Sequence, residues 1–436
     1  CALEEEKSRK VGGRPLIYRE EVNLTPFASS HTRGKGNAQV NLDQAEKIVT
    51  QLLAPLPLGR FLDEILGKTF FFVGDAAGRD WRAALLGGDP EDAILADYAR
   101  LAPHLGSHAA APTGPIPTLE ALGDATAFKA KIDAFHARGY TVRLPAMRAI
   151  NPALETVVRA LEAMFLVPVG AEVFWSRGGA RAPAHHDDFD LIVAQIKGTK
   201  RWYISTDRSE LPNVWRGIPE GEETIERFAV VDIAPGNLLY LPRGTKHCVD
   251  ATSDAIHVSI GFTPVTLREA LIACIDRLSD IERPLRESIG ERMARQSESG
   301  KFGNVPAHVR GGVAALAHYC GMDGFVADAL QQRASQTVGK LDKLRPAMAP
   351  ARLTLASRLR QNPLCIHHLS GNQTKIDFAY PGGHHYLHRG AEEAISFVAR
   401  TQSFRARDIP GAVGDEVRLA LAERLLASGI LELEGE

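Results

Sequence analysis

The chain has 436 residues, with 53 acidic and 51 basic side chains, a formal net charge of −2 and a hydrophobic content of 44%. This is the composition of a globular protein with a sizeable core, long enough for two or three domains. It excludes a strong overall field that would steer the chain to nucleic acid or to a membrane surface. No run approaches the roughly 18 apolar residues that a membrane helix needs. The opening CALEEEKSRK is charged, which argues against a secretory signal. The five cysteines, Cys1, Cys248, Cys274, Cys320 and Cys365, form no C-x-x-C pair, so neither a zinc knuckle nor a disulfide scaffold is signalled and a reducing cytoplasm is the expected compartment.

In chain order, residues 1–42 read as a polar arm. Helical periodicity begins at Leu42 (LDQAEKIVTQLL), followed by PLPLGRFLDEILG and the strand-like TFFFV. Helices are expected at Pro90–Leu101 and Ala125–Arg138, separated by the Pro/Gly/Ala-rich loop HLGSHAAAPTGPIP, and again at Pro152–Leu166. The texture changes between Glu172 and Phe262. There the short segments EVFWS, DFDLIVAQI, KRWYIS, RFAVVDI, NLLYLP and AIHVSIGF alternate with Gly, Pro, Asn and Asp turns, the pattern of a sandwich or barrel. After Pro264 helix returns (TLREALIACIDRLSDI) and runs to about Lys343. A mixed segment, Ala349–Glu436, follows, with helices at Arg389–Arg400 and Gly414–Ser428 and the strand KIDFAY.

The chemistry lies in the strand-rich part. PAHHDDFDLIVAQIKGTKRW holds an H-x-D, and GNLLYLPRGTKHCVD holds a further histidine, His247, after a Pro-Arg-Gly turn. Two histidines and a carboxylate on one face of a metal leave open positions, the arrangement of non-haem Fe(II) oxygenases. Residues i and i+2 of a strand point to one side, so His185 and Asp187 can reach one ion, with His247 supplied by a second strand. The sequence offers a second, overlapping pair, His186 and Asp188, and the spacing alone does not choose between them. Lys200, opening the next strand after the turn Lys197-Gly198-Thr199, supplies a cation suited to the distal carboxylate of a 2-oxo diacid.

At these residues the chain resembles the JmjC-type 2-oxoglutarate oxygenases. HHDDFDLIVAQIKGTKRW is similar to their iron-binding and oxoglutarate-binding strands, GNLLYLPRGTKHCV to the segment of the distal histidine, and HVSIGFTP to the closing strand. PLGRFLDEILGKTFFFVGD resembles the entry to such barrels, and the downstream part resembles the ribosomal oxygenase subgroup. The resemblance spans roughly residues 45–436 and is strongest over 172–264. It implies an α+β fold. A double-stranded β-helix (jelly-roll or cupin) core with flanking helices would occupy 43–265, a helical dimerisation segment 266–345 and a winged-helix-like domain 346–436. It selects His185, Asp187 and His247 as iron ligands, because Lys200 then falls at the family's oxoglutarate cation, and it brings Ser259 towards the oxoglutarate. Leu191, Ala182 and Phe262 stand where some relatives carry Asn or Thr, so contacts to the C1 carboxylate are left to Ser176, Arg177 and Tyr203 by proximity in sequence.

The resemblance implies an Fe(II)- and 2-oxoglutarate-dependent dioxygenase, consuming O2 and hydroxylating an amino-acid side chain of a protein or peptide. The substrate would be of the ribosomal-protein Arg or His kind or a natural-product precursor peptide. An N-methyl-lysine or -arginine demethylase and a non-catalytic cupin-type binding protein are the alternatives. A homodimer is expected, through the apolar positions of Leu267–Leu278. Direct nucleic-acid binding is not, because the stretch Asp415–Leu426 that a winged helix would present is acidic.

Overall fold

The computed structural model describes residues 39–74, 77–110, 112–118, 123–145, 150–212, 224–288, 305–344, 353–371 and 374–434. Most of the expected N-terminal arm lies outside them. Eleven strands build the central body: β1 Phe71–Val73, β2 Gly106–His108, β3 Thr141–Leu144, β4 Val169–Ser176, β5 Arg181–His185, β6 Asp190–Lys197, β7 Lys200–Ser205, β8 Phe228–Ile233, β9 Leu238–Leu241, β10 His247–Ala251 and β11 Ala255–Phe262. They form an antiparallel seven-stranded sheet in the order β1-β9-β6-β11-β4-β3-β2, facing a four-stranded sheet in the order β5-β10-β7-β8.

Side-chain alternation divides each strand of the large sheet between two cores. In β11, Ile256, Val258, Ile260 and Phe262 turn outward and pack with Val49, Leu52, Phe128, Val157 and Leu161 of the helices Gln39–Leu53, Ala125–His136 and Pro152–Phe165. The other face looks between the sheets. At one end that interior is apolar, with Leu191, Val193, Trp202, Ile204, Leu239 and Leu241 packed together. Turn chemistry matters at Gly198, between β6 and β7: with φ +63°, an added Cβ would lie 1.8 Å from the Asp254 carbonyl oxygen. Only glycine fits there, and the turn aims Lys200 inward.

The helix Leu267–Ile281 starts at a capping box formed by Thr266 and Glu269. Together with helices Val305–Cys320 and Phe325–Lys340 it has a small core of its own, Ala273, Cys274, Leu278, Phe325 and Ala329. Its opposite face leaves Leu267, Leu271, Ile272 and Ile275 exposed. The C-terminal unit combines a three-stranded sheet (Ser403–Arg405, Arg358–Gln361, Leu431–Leu433), a second sheet (His368–Gly371, Lys375–Tyr380, Gly383–His388) and helices Glu392–Arg400 and Asp415–Ala427 over a shared apolar core. It is tied to the body through Arg159, which is buried, pairs with Glu162 at 3.1 Å and donates to the Lys343 carbonyl oxygen.

The expected strands KRWYIS, AIHVSIGF and KIDFAY have the observed bounds. The helix expected at Pro90–Leu101 is broken at Asp97 into Pro90–Ala96 and Tyr98–Leu101. The loop 104–117 contains β2, which sequence patterning does not show.

Candidate metal centre

The centre is assembled where the small sheet opens. His185 is the last residue of β5 and His247 the first of β10, and the two lie directly opposite each other in the antiparallel ladder. Asp187 is not on a strand. It lies in the link between β5 and β6, which corrects the expectation that His185 and Asp187 share a face by strand alternation. The link is held by the β9–β10 turn, whose Gly244 N–H donates to the Asp187 carbonyl oxygen at 2.7 Å. Gly244 has φ +77°, and an added Cβ would meet Pro212 at 2.4 Å.

One ligand atom from each of His185, Asp187 and His247 lies within 4.8 Å of the others, with His247 Nε2 3.7 Å from Asp187 Oδ2. Among the described residues no other group of His, Cys, Asp and Glu converges in this way, so His186 and Asp188 do not form the alternative. Each histidine is oriented by its own backbone. His185 Nδ1 lies 2.8 Å from the Pro183 carbonyl oxygen and His247 Nδ1 2.9 Å from that of Thr245. A carbonyl only accepts, so each Nδ1 carries the proton and each Nε2 lone pair is directed to the shared point. Two neutral imidazole nitrogens and one carboxylate oxygen form a donor set that fits a divalent first-row ion with positions to spare. Burial holds the Asp187 carboxyl above its usual range, opposed by His185, His186 and Arg143; an ion there would favour the carboxylate.

Lys200 is 3% exposed and its ammonium donates to Ser176 Oγ at 2.8 Å, which in turn contacts Thr141 Oγ1 at 2.9 Å. Burial pulls this lysine down from 10.5 to about 7. Ser176 thus faces Lys200 inside the barrel. Arg177 does not: it pairs at the surface with Asp254 and, at 3.6 Å, with Asp133. Tyr203 points out of the barrel, against Phe228. Leu191 and Ala182 line the apolar interior, and Phe262 stacks on Phe165 in the outer core. Ser259 is on the inner face of β11, opposite Glu172 of β4.

Several site residues were not singled out from sequence. Arg143 and Glu172 pair at 3.7 Å beside Asp187. His108, on β2, is pushed down to about 3 by burial, then by Lys200, His185, Arg143 and His247. Its position in a loop-like segment gave no signal. His257 did have one: it lies two residues before Ser259 in AIHVSIGF and so on the same face.

Residues 148–270 match the JmjC domain family model. Over 128 residues the chain is 32% identical to a Dictyostelium discoideum protein named bifunctional lysine-specific demethylase and histidyl-hydroxylase NO66, covering 28% of this chain and 25% of that one. It is 27% identical over 124 residues to ribosomal oxygenase 2 of Rattus norvegicus, covering 28% and 26%. The chain thus spans about a quarter of the length of these relatives. Among solved structures, the Escherichia coli ribosomal oxygenase YcfD in complex with cobalt and 2-oxoglutarate aligns with a TM-score of 0.45 at 15% identity, over 87% of this chain and 99% of that one. From the family model and the curated relatives, the chain carries a JmjC domain, over residues 148–270.

Proposed function

We propose that the chain is an Fe(II)- and 2-oxoglutarate-dependent dioxygenase that hydroxylates an amino-acid side chain of a protein or peptide. The observation that carries this reading is the convergence of His185, Asp187 and His247 within reach of one ion, in a barrel whose interior also holds the buried cation of Lys200. Bound Fe(II) with 2-oxoglutarate supplies oxygen activation, in which one oxygen atom enters a C–H bond and the other enters succinate as CO2 leaves. The chain's own residues do the positioning. His185 and His247 present Nε2 lone pairs, Asp187 supplies a negative oxygen, and Lys200 neutralises the distal carboxylate of the co-substrate. The apolar wall of Leu191, Val193, Leu239 and Leu241 excludes water.

The relatives' names speak of histidyl hydroxylation and lysine demethylation. Both chemistries begin with oxidation of a C–H bond, and on an N-methyl carbon the same reaction releases formaldehyde. We read hydroxylation of a ribosomal-protein type of side chain as the activity. We also read the exposed apolar face of Leu267–Ile281 as a homodimer contact, the C-terminal unit as winged-helix-like, and the cytoplasm as the compartment, in keeping with Cys248, Cys274, Cys320 and Cys365, which form no disulfide among the described residues. Among the described residues no helix is long and apolar enough to cross a membrane.

The test is incubation of the purified chain with Fe(II), 2-oxoglutarate and ribosomal proteins or their peptides. Succinate and formaldehyde are measured, and the polypeptides are weighed for the gain of one oxygen atom. Substrate-dependent succinate with that gain is expected. No coupled decarboxylation with any polypeptide would leave a cupin-type binding protein as the reading.

A further inference from the structure

We infer that His257 is a co-substrate-binding residue, its imidazole donating a hydrogen bond to the distal carboxylate that Lys200 neutralises. The inference rests on the dioxygenase reading and deepens it. Its first support is register. On the inner face of β11, Ala255 pairs with Ser176, the residue bonded to Lys200, and Ser259 pairs with Glu172, which lies beside the metal-centre carboxylate Asp187. His257 lies between them, opposite Phe174 on β4 and Gln195 on β6. Two residues of strand rise about 7 Å. The ring therefore lies on the face between the Lys200 end and the metal end, one inward position from the residue paired with Ser176.

The second support is an orphaned polar atom. His257 is 4% exposed, and its Nδ1 is buried with no hydrogen-bond partner. Buried polar groups in folded proteins are rarely left so, and such an exception points to a missing partner. The ring is clamped, not loose. It stacks on Phe174 at 4.9 Å between centroids and 18° between planes, and lies 5.6 Å from Trp202, which stacks in turn on His247 at 5.5 Å. Aromatic walls fix where the imidazole edge points, and the buried Oε1 of Gln195, opposite on β6, and Nε1 of Trp202 likewise have no hydrogen-bond partner. Burial and the neighbouring Lys200, His108 and His247 keep the ring neutral, so it carries one N–H, suited to an acceptor such as a carboxylate oxygen.

The experiment measures binding to the full chain loaded with Mn(II) in place of Fe(II), by titration calorimetry without oxygen. The ligands are 2-oxoglutarate and oxalate, which chelates the same ion but has no distal arm. His257→Leu should weaken 2-oxoglutarate about tenfold or more, the loss of a hydrogen bond to a charged group, and leave Mn(II) and oxalate affinities unchanged. His257→Asn, which retains an N–H donor, should recover part of the loss and keeps the test available if the leucine variant does not fold. Unchanged 2-oxoglutarate affinity in both variants, or equal losses for 2-oxoglutarate and oxalate, would overturn the assignment of His257. Wild-type protein that takes Mn(II) but no 2-oxoglutarate would overturn the dioxygenase reading itself.

Discussion

Lys200→Met should make the protein without metal or co-substrate more stable while removing its affinity for 2-oxoglutarate. The buried ammonium is held at about 7 instead of 10.5. One pH unit of displacement corresponds to about 1.4 kcal/mol, so at pH 7 keeping this lysine buried costs roughly 4 kcal/mol. Methionine fills a similar volume and carries no charge. Losing the bond to Ser176 gives back about 1 kcal/mol, so the net gain is about 3 kcal/mol. The sign fixes the pH window. An unfolded lysine binds its proton up to about 10.5 and the folded one only to about 7, so wild-type stability rises between those values and the advantage of Lys200→Met shrinks there. Thermal or urea unfolding of both proteins at several pH values between 6 and 10, in chelator, measures this. A less stable variant, or a difference that does not change with pH, would refute the argument that Lys200 is a cation held against its solvation for the sake of a ligand.

Asp187→Ala and His247→Ala should each abolish succinate formation and weaken Mn(II) binding at least a hundredfold, read by calorimetry; normal turnover in either would dismiss the metal assignment. Because burial raises the Asp187 carboxyl, wild-type metal affinity should fall as pH is lowered, a trend that equilibrium dialysis across pH can follow. Arg82 is fully buried and donates to the carbonyl oxygens of Gly236, Leu52 and Ala54. Its replacement by Met strands three acceptors and should cost about 3 kcal/mol or more in denaturant unfolding, and a loss below about 1 kcal/mol would contradict that. Leu271→Glu combined with Ile275→Glu, at positions each 45% exposed, should convert a dimer into a monomer in light scattering; a wild-type monomer at micromolar concentration would exclude the proposed contact.

The long strands were legible because their residues repeat every second position between two cores, as in Lys200–Ser205 and Ala255–Phe262. The two strands that carry the histidine ligands lack that pattern. Arg181–His185 (RAPAH) contains a proline and no β-branched residue, and it is tolerated as a strand because β5 lies at the edge of its sheet. His247–Ala251 (HCVDA) is short and follows a turn, so its place on a strand was expected from the need to bring His247 to the metal and not from alternation. The candidate ligands were nonetheless visible, since H-x-D and a later histidine are chemical signals that need no secondary structure. His108, Arg143 and Glu172 were invisible for the opposite reason. They meet the site through β2, β3 and β4, whose order in the sheet is a long-range property absent from any local window.

The backbone clasps on His185 and His247 bear on which ion the protein would carry. Both rings are set before any ion arrives, so capture demands little rearrangement and the cradle discriminates poorly by shape among cations of similar radius. Such a nitrogen–oxygen set ranks the first-row dications by intrinsic affinity, cobalt, nickel and copper above iron. Loading with iron is then decided by which free ions surround the protein, and exposure to traces of the stronger binders would silence it without unfolding it.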